Sequence, residues 1–140
     1  MATIVLGYDA SPGAERALDT AVELAGAFGD RLVIGFGVQP PGHGGGEAAE
    51  ARDALREQAA QMTGEALSRA LEAGVGAEVS LVDERPAAAL AGLGEQHDAR
   101  MIIVGSYGES PIKGAILGST PHKLLHLSDR PVLVVPGGGP

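Results

Sequence analysis

Short apolar runs alternate with longer stretches of helical periodicity along the whole chain. Residues 3 to 8 are largely apolar, with turn residues Asp9 to Gly13 behind them, so they predict a buried strand. Ala17, Leu18, Ala21, Val22, Leu24, Ala25 and Phe28 then recur at helical spacing. Ser11 stands where it can cap that helix, Pro12 at its first position and Gly29 at its end. Leu32 to Val38 predicts a second strand, which runs into prolines and glycines from Pro40 to Gly46 that fit no regular element. From Glu47 to Ala73 the pattern is one long Ala-rich helix. Its larger apolar positions are Leu55, Met62, Leu67 and Leu71, and Glu65 with Arg69 forms an i, i+4 pair. Glu78 to Asp83, Met101 to Val104 and Val132 to Val135 predict three more strands. Pro86 to His97 predicts a helix weakened by Gly92 and Gly94, and Thr120-Pro121 reads as a cap and first-position proline opening a last helix to Ser128.

Five strands alternating with four helices imply βαβ units, right-handed crossovers and a parallel sheet covered on both faces. The expectation is an α/β, doubly wound fold, with residues 1–140 forming one domain. Ligands of such sheets lie beyond the carboxyl ends of the strands, where strand order reverses.

The connection between the fourth strand and the last helix is long for an α/β unit, and it is rich in glycine. It starts with Gly105-Ser106-Tyr107-Gly108 and ends with Gly118-Ser119 ahead of Thr120. A glycine loop that leads into a helix N-terminus is a place for an anion, because backbone N–H groups and the helix dipole both face it.

The spacing of this loop (glycine, any two, glycine, any nine, glycine, then serine or threonine) resembles the nucleotide-binding signature of the universal stress protein family, in its ATP-binding branch. Ile4-Val5-Leu6-Gly7-Tyr8-Asp9-Ala10-Ser11 resembles the family's first strand and Asp-x-Ser turn, and Pro131 to Pro136 its last strand. Arg85-Pro86-Ala87 and His97-Asp98-Ala99 fall where the family enters and leaves its third helix, so the likeness covers essentially the whole chain. It implies the strand order 3-2-1-4-5 and a crevice flanked by Asp9 and Gly105.

The resemblance also implies a set of roles at an ATP site. Gly7, Tyr8 and Asp9 would line the nucleoside pocket, and the Val38 backbone would read the adenine edge. Gly105 and Gly108 would turn amides toward ribose and phosphates, with a hydroxyl from Ser106. Tyr107, Glu109, Ser110 and Pro111 belong to the stretch that would wrap the triphosphate, and Lys113 would neutralise charge. Gly118, Ser119 and Thr120 would supply donors at the helix N-terminus. Mg²⁺ would accompany ATP, with Asp9 as its protein contact. Two positions depart from the family pattern. Pro121 stands where relatives commonly have a second serine, removing a hydroxyl and an N–H from the phosphate shell; Tyr8 stands where small or polar residues are common and would narrow the pocket or stack on a base.

Composition narrows the classes. Cysteine is absent, which rules out disulfides and thiolate metal sites. No apolar run approaches the length of a membrane span, and no signal sequence is evident, so the expected compartment is the cytoplasm. The net charge of −8 disfavours nucleic acid as a partner. That charge is uneven: residues 100 to 130 sum to +2 and residues 1 to 99 to −10, so the glycine loop lies in the most basic stretch.

His122 and His126 are four apart, but a zinc-protease HExxH pattern is missing and they are expected to be surface residues. Walker A, GxGxxG and GxSxG patterns are likewise missing. No residue stands out as a catalytic base, so hydrolysis is expected to be slow at most. The expected function is that of a nucleotide-dependent stress-response sensor or signalling module, homodimeric through the last strand as relatives commonly are. The alternatives are a nucleotide-free, dimeric interaction member of the same family and a phosphorelay receiver-like domain. The latter is poor, since the first strand has no acidic pair and the last strand no following lysine.

Overall fold

The computed structural model describes residues 1–38, 46–106 and 119–137. Among these, β1 (Thr3–Gly7), α1 (Pro12–Phe28), β2 (Arg31–Gly37), α2 (Gly46–Glu72), β3 (Ala77–Val82), α3 (Pro86–Gln96), β4 (Met101–Gly105), α4 (Ser119–Leu127) and β5 (Val132–Val135) follow one another in strict alternation. The strands form one parallel sheet in the order β3-β2-β1-β4-β5, as the family resemblance implied.

Successive side chains of a strand point to opposite faces, and both faces here are apolar. Ile4, Leu6, Leu32, Ile34 and Ile103 meet α1 and α2 on one face; Val5, Val33, Ile102 and Val104 meet α3 and α4 on the other. Val5 lies in register with Val33 on one side and Ile102 on the other, so the second layer runs unbroken across the central strands. Full burial of each such aliphatic side chain contributes about 1.5–3 kcal/mol, which is what holds the helices down. With Trp absent and aromatics few, alanines of α1 and α2 (Ala17, Ala21, Ala66, Ala70) let those helices approach the sheet closely.

The helix ends follow the chemistry of their residues. Ser11 Oγ accepts the Ala14 N–H at 3.1 Å, Pro12 occupies the first turn of α1, and Gly29 closes it at φ 70° with its N–H on the Ala25 carbonyl. Two details differ from the sequence expectation. Helix α4 already includes Ser119, so Thr120 lies inside the first turn rather than at the cap, with Pro121 third. Strand β2 ends at Gly37, and Val38, buried just beyond it, gives its N–H to the Val82 carbonyl at 2.7 Å.

The expected Glu65–Arg69 pair is replaced by a longer-range one. Arg69 reaches from α2 to Glu15 on α1, and to Asp19 at 2.7 Å. Carboxylates one turn apart on α1 form a better acceptor for a planar guanidinium fork than a single neighbour on its own helix. At the opposite end of the sheet Arg100 donates Nε to Asp30 at 2.5 Å and lies over the Phe28 ring at 4.5 Å.

Candidate functional site

Strand order reverses between β1 and β4, and a cleft opens there at the carboxyl ends of the strands. Its described lining comes from every layer of the fold: Gly7, Tyr8 and Asp9 from β1 and its turn, Gly35 and Phe36 from β2, and Val104 and Gly105 from β4. The helices complete it with Ser11 and Ala14 of the α1 start, Pro86 and Leu90 of α3, and Thr120 and Pro121 of α4. Three helices thus begin at this cleft. Each helix N-terminus carries unsatisfied N–H groups and a partial positive charge, so the three together favour a negatively charged ligand.

Two of its glycines, Gly7 and Gly105, also answer a packing demand that the sequence did not show. A Cβ on Gly105 would stand 2.6 Å from the Gly13 carbonyl carbon and 2.7 Å from its oxygen. A Cβ on Gly7 would stand 2.5 Å from Leu90 Cδ1. Gly105 therefore lets the first turn of α1 close on β4, and Gly7 lets α3 close on β1. Both glycines set the shape of the cleft through the packing beneath it.

Tyr8 is 4% exposed and belongs to the core layer under α1 and α2, its hydroxyl donating to Glu15 Oε1 and its amide to the Gly35 carbonyl at 3.1 Å. Burial, followed by the hydrogen bond to Glu15, pushes the phenol far above its usual range. Burial works against ionisation of Glu15, yet hydrogen bonds from Tyr8 and Arg69 bring its carboxyl below the usual range. The pair is a neutral donor on an ionised acceptor. Engaged in this way, Tyr8 belongs to the core layer while also bordering the cleft.

Asp9 Oδ1 accepts the Ser11 N–H at 3.0 Å, an Asx turn that directs the chain into α1. Ala10, between them, has φ 63°, a left-handed conformation that disfavours a residue with a Cβ. Asp9 is the one carboxylate in the described lining. No group of three or more His, Cys, Asp or Glu side chains suited to a metal occurs among the described residues. A Mg²⁺ ion fits such a site only as it commonly binds nucleotides, through phosphate oxygens and water with one carboxylate.

The other expected site residues divide into three groups. Thr120, half-buried, and Pro121, buried, reach the cleft, while Ser119 beside them is exposed. Ser106 is buried, with its amide on the Val135 carbonyl at 3.0 Å, and Val38 is buried next to β3; neither belongs to the described lining. Tyr107, Gly108, Glu109, Ser110, Pro111, Lys113 and Gly118 lie outside the described residues.

Ser11, Ala14, Gly35, Phe36, Pro86, Leu90 and Val104 line the cleft but were not named as site residues from the sequence. A signal for some of them existed. Pro12 and Pro86 mark helix starts, and in a parallel α/β fold every helix start lies on the ligand-binding edge. His122 and His126 are exposed, with ring centroids 5.4 Å apart in an edge-to-face arrangement. No described helix is long and apolar enough to cross a membrane.

The model of the universal stress protein family matches residues 1–136. A universal stress protein of Mycobacterium tuberculosis (strain ATCC 25618 / H37Rv) is 34% identical over 143 residues, spanning 95% of this chain and 94% of the relative. A solved structure of a universal stress protein in complex with cAMP is 32% identical, with a TM-score of 0.72 and coverage of 96% of each chain. A universal stress protein from Lactobacillus plantarum superposes with a TM-score of 0.85 over 96% of this chain and 97% of that one; at 18% identity this is a likeness of fold alone.

Proposed function

This chain belongs to the universal stress protein family, and we propose that it binds an adenine nucleotide in the cleft between β1 and β4, acting as a nucleotide-dependent sensor or signalling module in the cytoplasm. The observation that carries this is the meeting of three helix N-termini at one cleft on the switch point of the sheet. The related structure in complex with cAMP supports an adenine nucleotide as the ligand class.

ATP with Mg²⁺ is the ligand we favour. Thr120 and the first turn of α4 would address phosphates, the glycine loop from Gly105 to Gly118 with Lys113 would enclose them, and Asp9 would contact the metal ion. Apolar Phe36, Pro86, Leu90 and Val104 give the cleft surface for a base and ribose. The described lining contains no histidine and no second carboxylate. Hydrolysis would then be slow, because orientation is supplied without a group to activate water.

A second reading, a cyclic adenine nucleotide, is favoured by the same related structure, which is in complex with cAMP.

Calorimetric titration with ATP and Mg²⁺, AMP, adenosine and cAMP tests both. ATP is expected to bind more tightly than AMP. Equal affinity for ATP, AMP and adenosine would show that the helix N-termini do not address phosphate, and tighter binding of cAMP than of ATP would establish the second reading.

We also propose a homodimer through β5. This strand is an edge of the sheet, all four of its residues are half-buried, and its outer backbone groups need a partner. Val134→Pro should yield monomers by removing an edge N–H. A wild-type monomer by light scattering at high concentration would refute the proposal.

A further inference from the structure

The wall of the cleft formed by the β1–α1 turn is tied to the far helix α2. Tyr8 lines the cleft, and its hydroxyl binds Glu15; Glu15 binds Arg69, and Arg69 also binds Asp19 at 2.7 Å. The chain of contacts joins residues more than fifty positions apart in sequence. We propose that Arg69 and Glu15 are positioning residues for the nucleotide cleft, Arg69 of α2 holding Glu15 against the Tyr8 phenol and so fixing the turn Tyr8-Asp9-Ala10-Ser11. This rests on the cleft being the nucleotide site.

Two physical facts make the turn depend on that hold. Ala10 sits at φ 63°, and an alanine stays in such a conformation only where its surroundings leave it no alternative. On its C-terminal side the turn is fastened by the Ser11 cap of α1 and by Asp9 on the Ser11 amide. On its N-terminal side the Tyr8 amide is on the Gly35 carbonyl, and the side chain is anchored through its hydroxyl on Glu15.

Glu15 in turn is poorly placed to stay there alone. It and Asp19 are like charges one helical turn apart, an arrangement that is mutually repulsive. The Arg69 fork spans both and cancels the repulsion. A lysine would offer one point charge to two carboxylates, so the planar fork is the part that matters.

The experiment compares wild type with Arg69→Met, which keeps the aliphatic stem, Tyr8→Phe, which removes only the hydroxyl, and the double variant. Arg56→Met is the control. It breaks the 2.7 Å Arg56–Asp83 ion pair between α2 and the end of β3, away from this chain of contacts. Nucleotide affinity is read by calorimetry, and the exchange of the Tyr8 and Ser11 amides by NMR in the absence of nucleotide.

Both single variants should weaken nucleotide binding about threefold to tenfold, the range expected of coupling through a packed network. The double variant should be no weaker than the worse single, and Arg56→Met should bind as wild type does. The Tyr8 and Ser11 amides should exchange faster in Arg69→Met, but not in Arg56→Met. Unchanged amide exchange in Arg69→Met would overturn the proposal, as would strictly additive losses in the double variant. If wild type binds no adenine nucleotide the functional reading of the cleft fails, and the amide exchange still decides whether Arg69 fixes the turn.

Discussion

Gly105 shows how one residue type serves two ends. In sequence it heads a glycine-rich loop, and the natural inference is that it exposes amides to a phosphate; in the fold it is the contact point of α1 with β4, where a Cβ would lie 2.6 Å from backbone. Backbone atoms cannot step aside as a side-chain terminus can. Gly105→Ala should therefore destabilise the protein by about 1–3 kcal/mol, as overpacking does, whether or not nucleotide is present. Gly92, in the exposed flank of α3, has nothing within 4 Å of where its Cβ would be. Gly92→Ala should stabilise the protein by roughly 0.5–1 kcal/mol through helix propensity alone. Thermal unfolding of the two variants checks the opposite signs. The sequence could not distinguish these glycines, since the contact that constrains Gly105 is made by Gly13, far away along the chain. The same holds for Tyr8: nothing near it in sequence shows that its phenol is bound by a Glu15 that Arg69 holds from α2.

Elements were legible where a local pattern determined them. Ser11, Pro12 and Gly29 delimit α1 as capping chemistry requires, and apolar runs located every strand to within a residue or two. The start of α4 was less so, because Ser119, Thr120 and Pro121 are all compatible with a first turn and only hydrogen bonding decides among them. Pro121 is the third residue of α4 and still lies where helical N–H groups lack an intrahelical partner. It is buried and lines the cleft. A serine there would add a hydroxyl and an N–H facing the ligand. Pro121→Ser should strengthen ATP binding by on the order of 1 kcal/mol, about fivefold, and AMP binding much less. Titration showing no gain for ATP, or an equal gain for AMP, would mean that this turn of α4 does not address the outer phosphates.

At the scale of the whole molecule, alternation of strands and helices implied a parallel sheet, but the order of its strands came from family resemblance, since many orders satisfy the same alternation. The long-range ion pairs were illegible for the same reason, and they close the molecule at opposite edges of the sheet. At the edge away from the cleft, Asp30 has a side chain only 1% exposed, held by Arg100 and by the Ala2 N–H at 3.2 Å. The hydrogen bond from Arg100 leads in lowering its pKa below the usual carboxylate range, with burial opposing and the Ala2 N–H assisting. Because the folded pKa lies below the unfolded one, the unfolded chain takes up the proton first as pH falls. The stabilisation is complete above the ordinary aspartate pKa, near pH 4, and is lost as pH drops through the folded value. Glu15, also lowered, acts in the same direction near the cleft. Asp30→Asn should lower the melting temperature at pH 7, where Arg100 loses its charged partner, and flatten the decline of melting temperature in the window below about pH 4 without abolishing it, since Glu15 still titrates. Melting curves of wild type and variant that stay parallel across that window would show that Asp30 does not link the fold to pH.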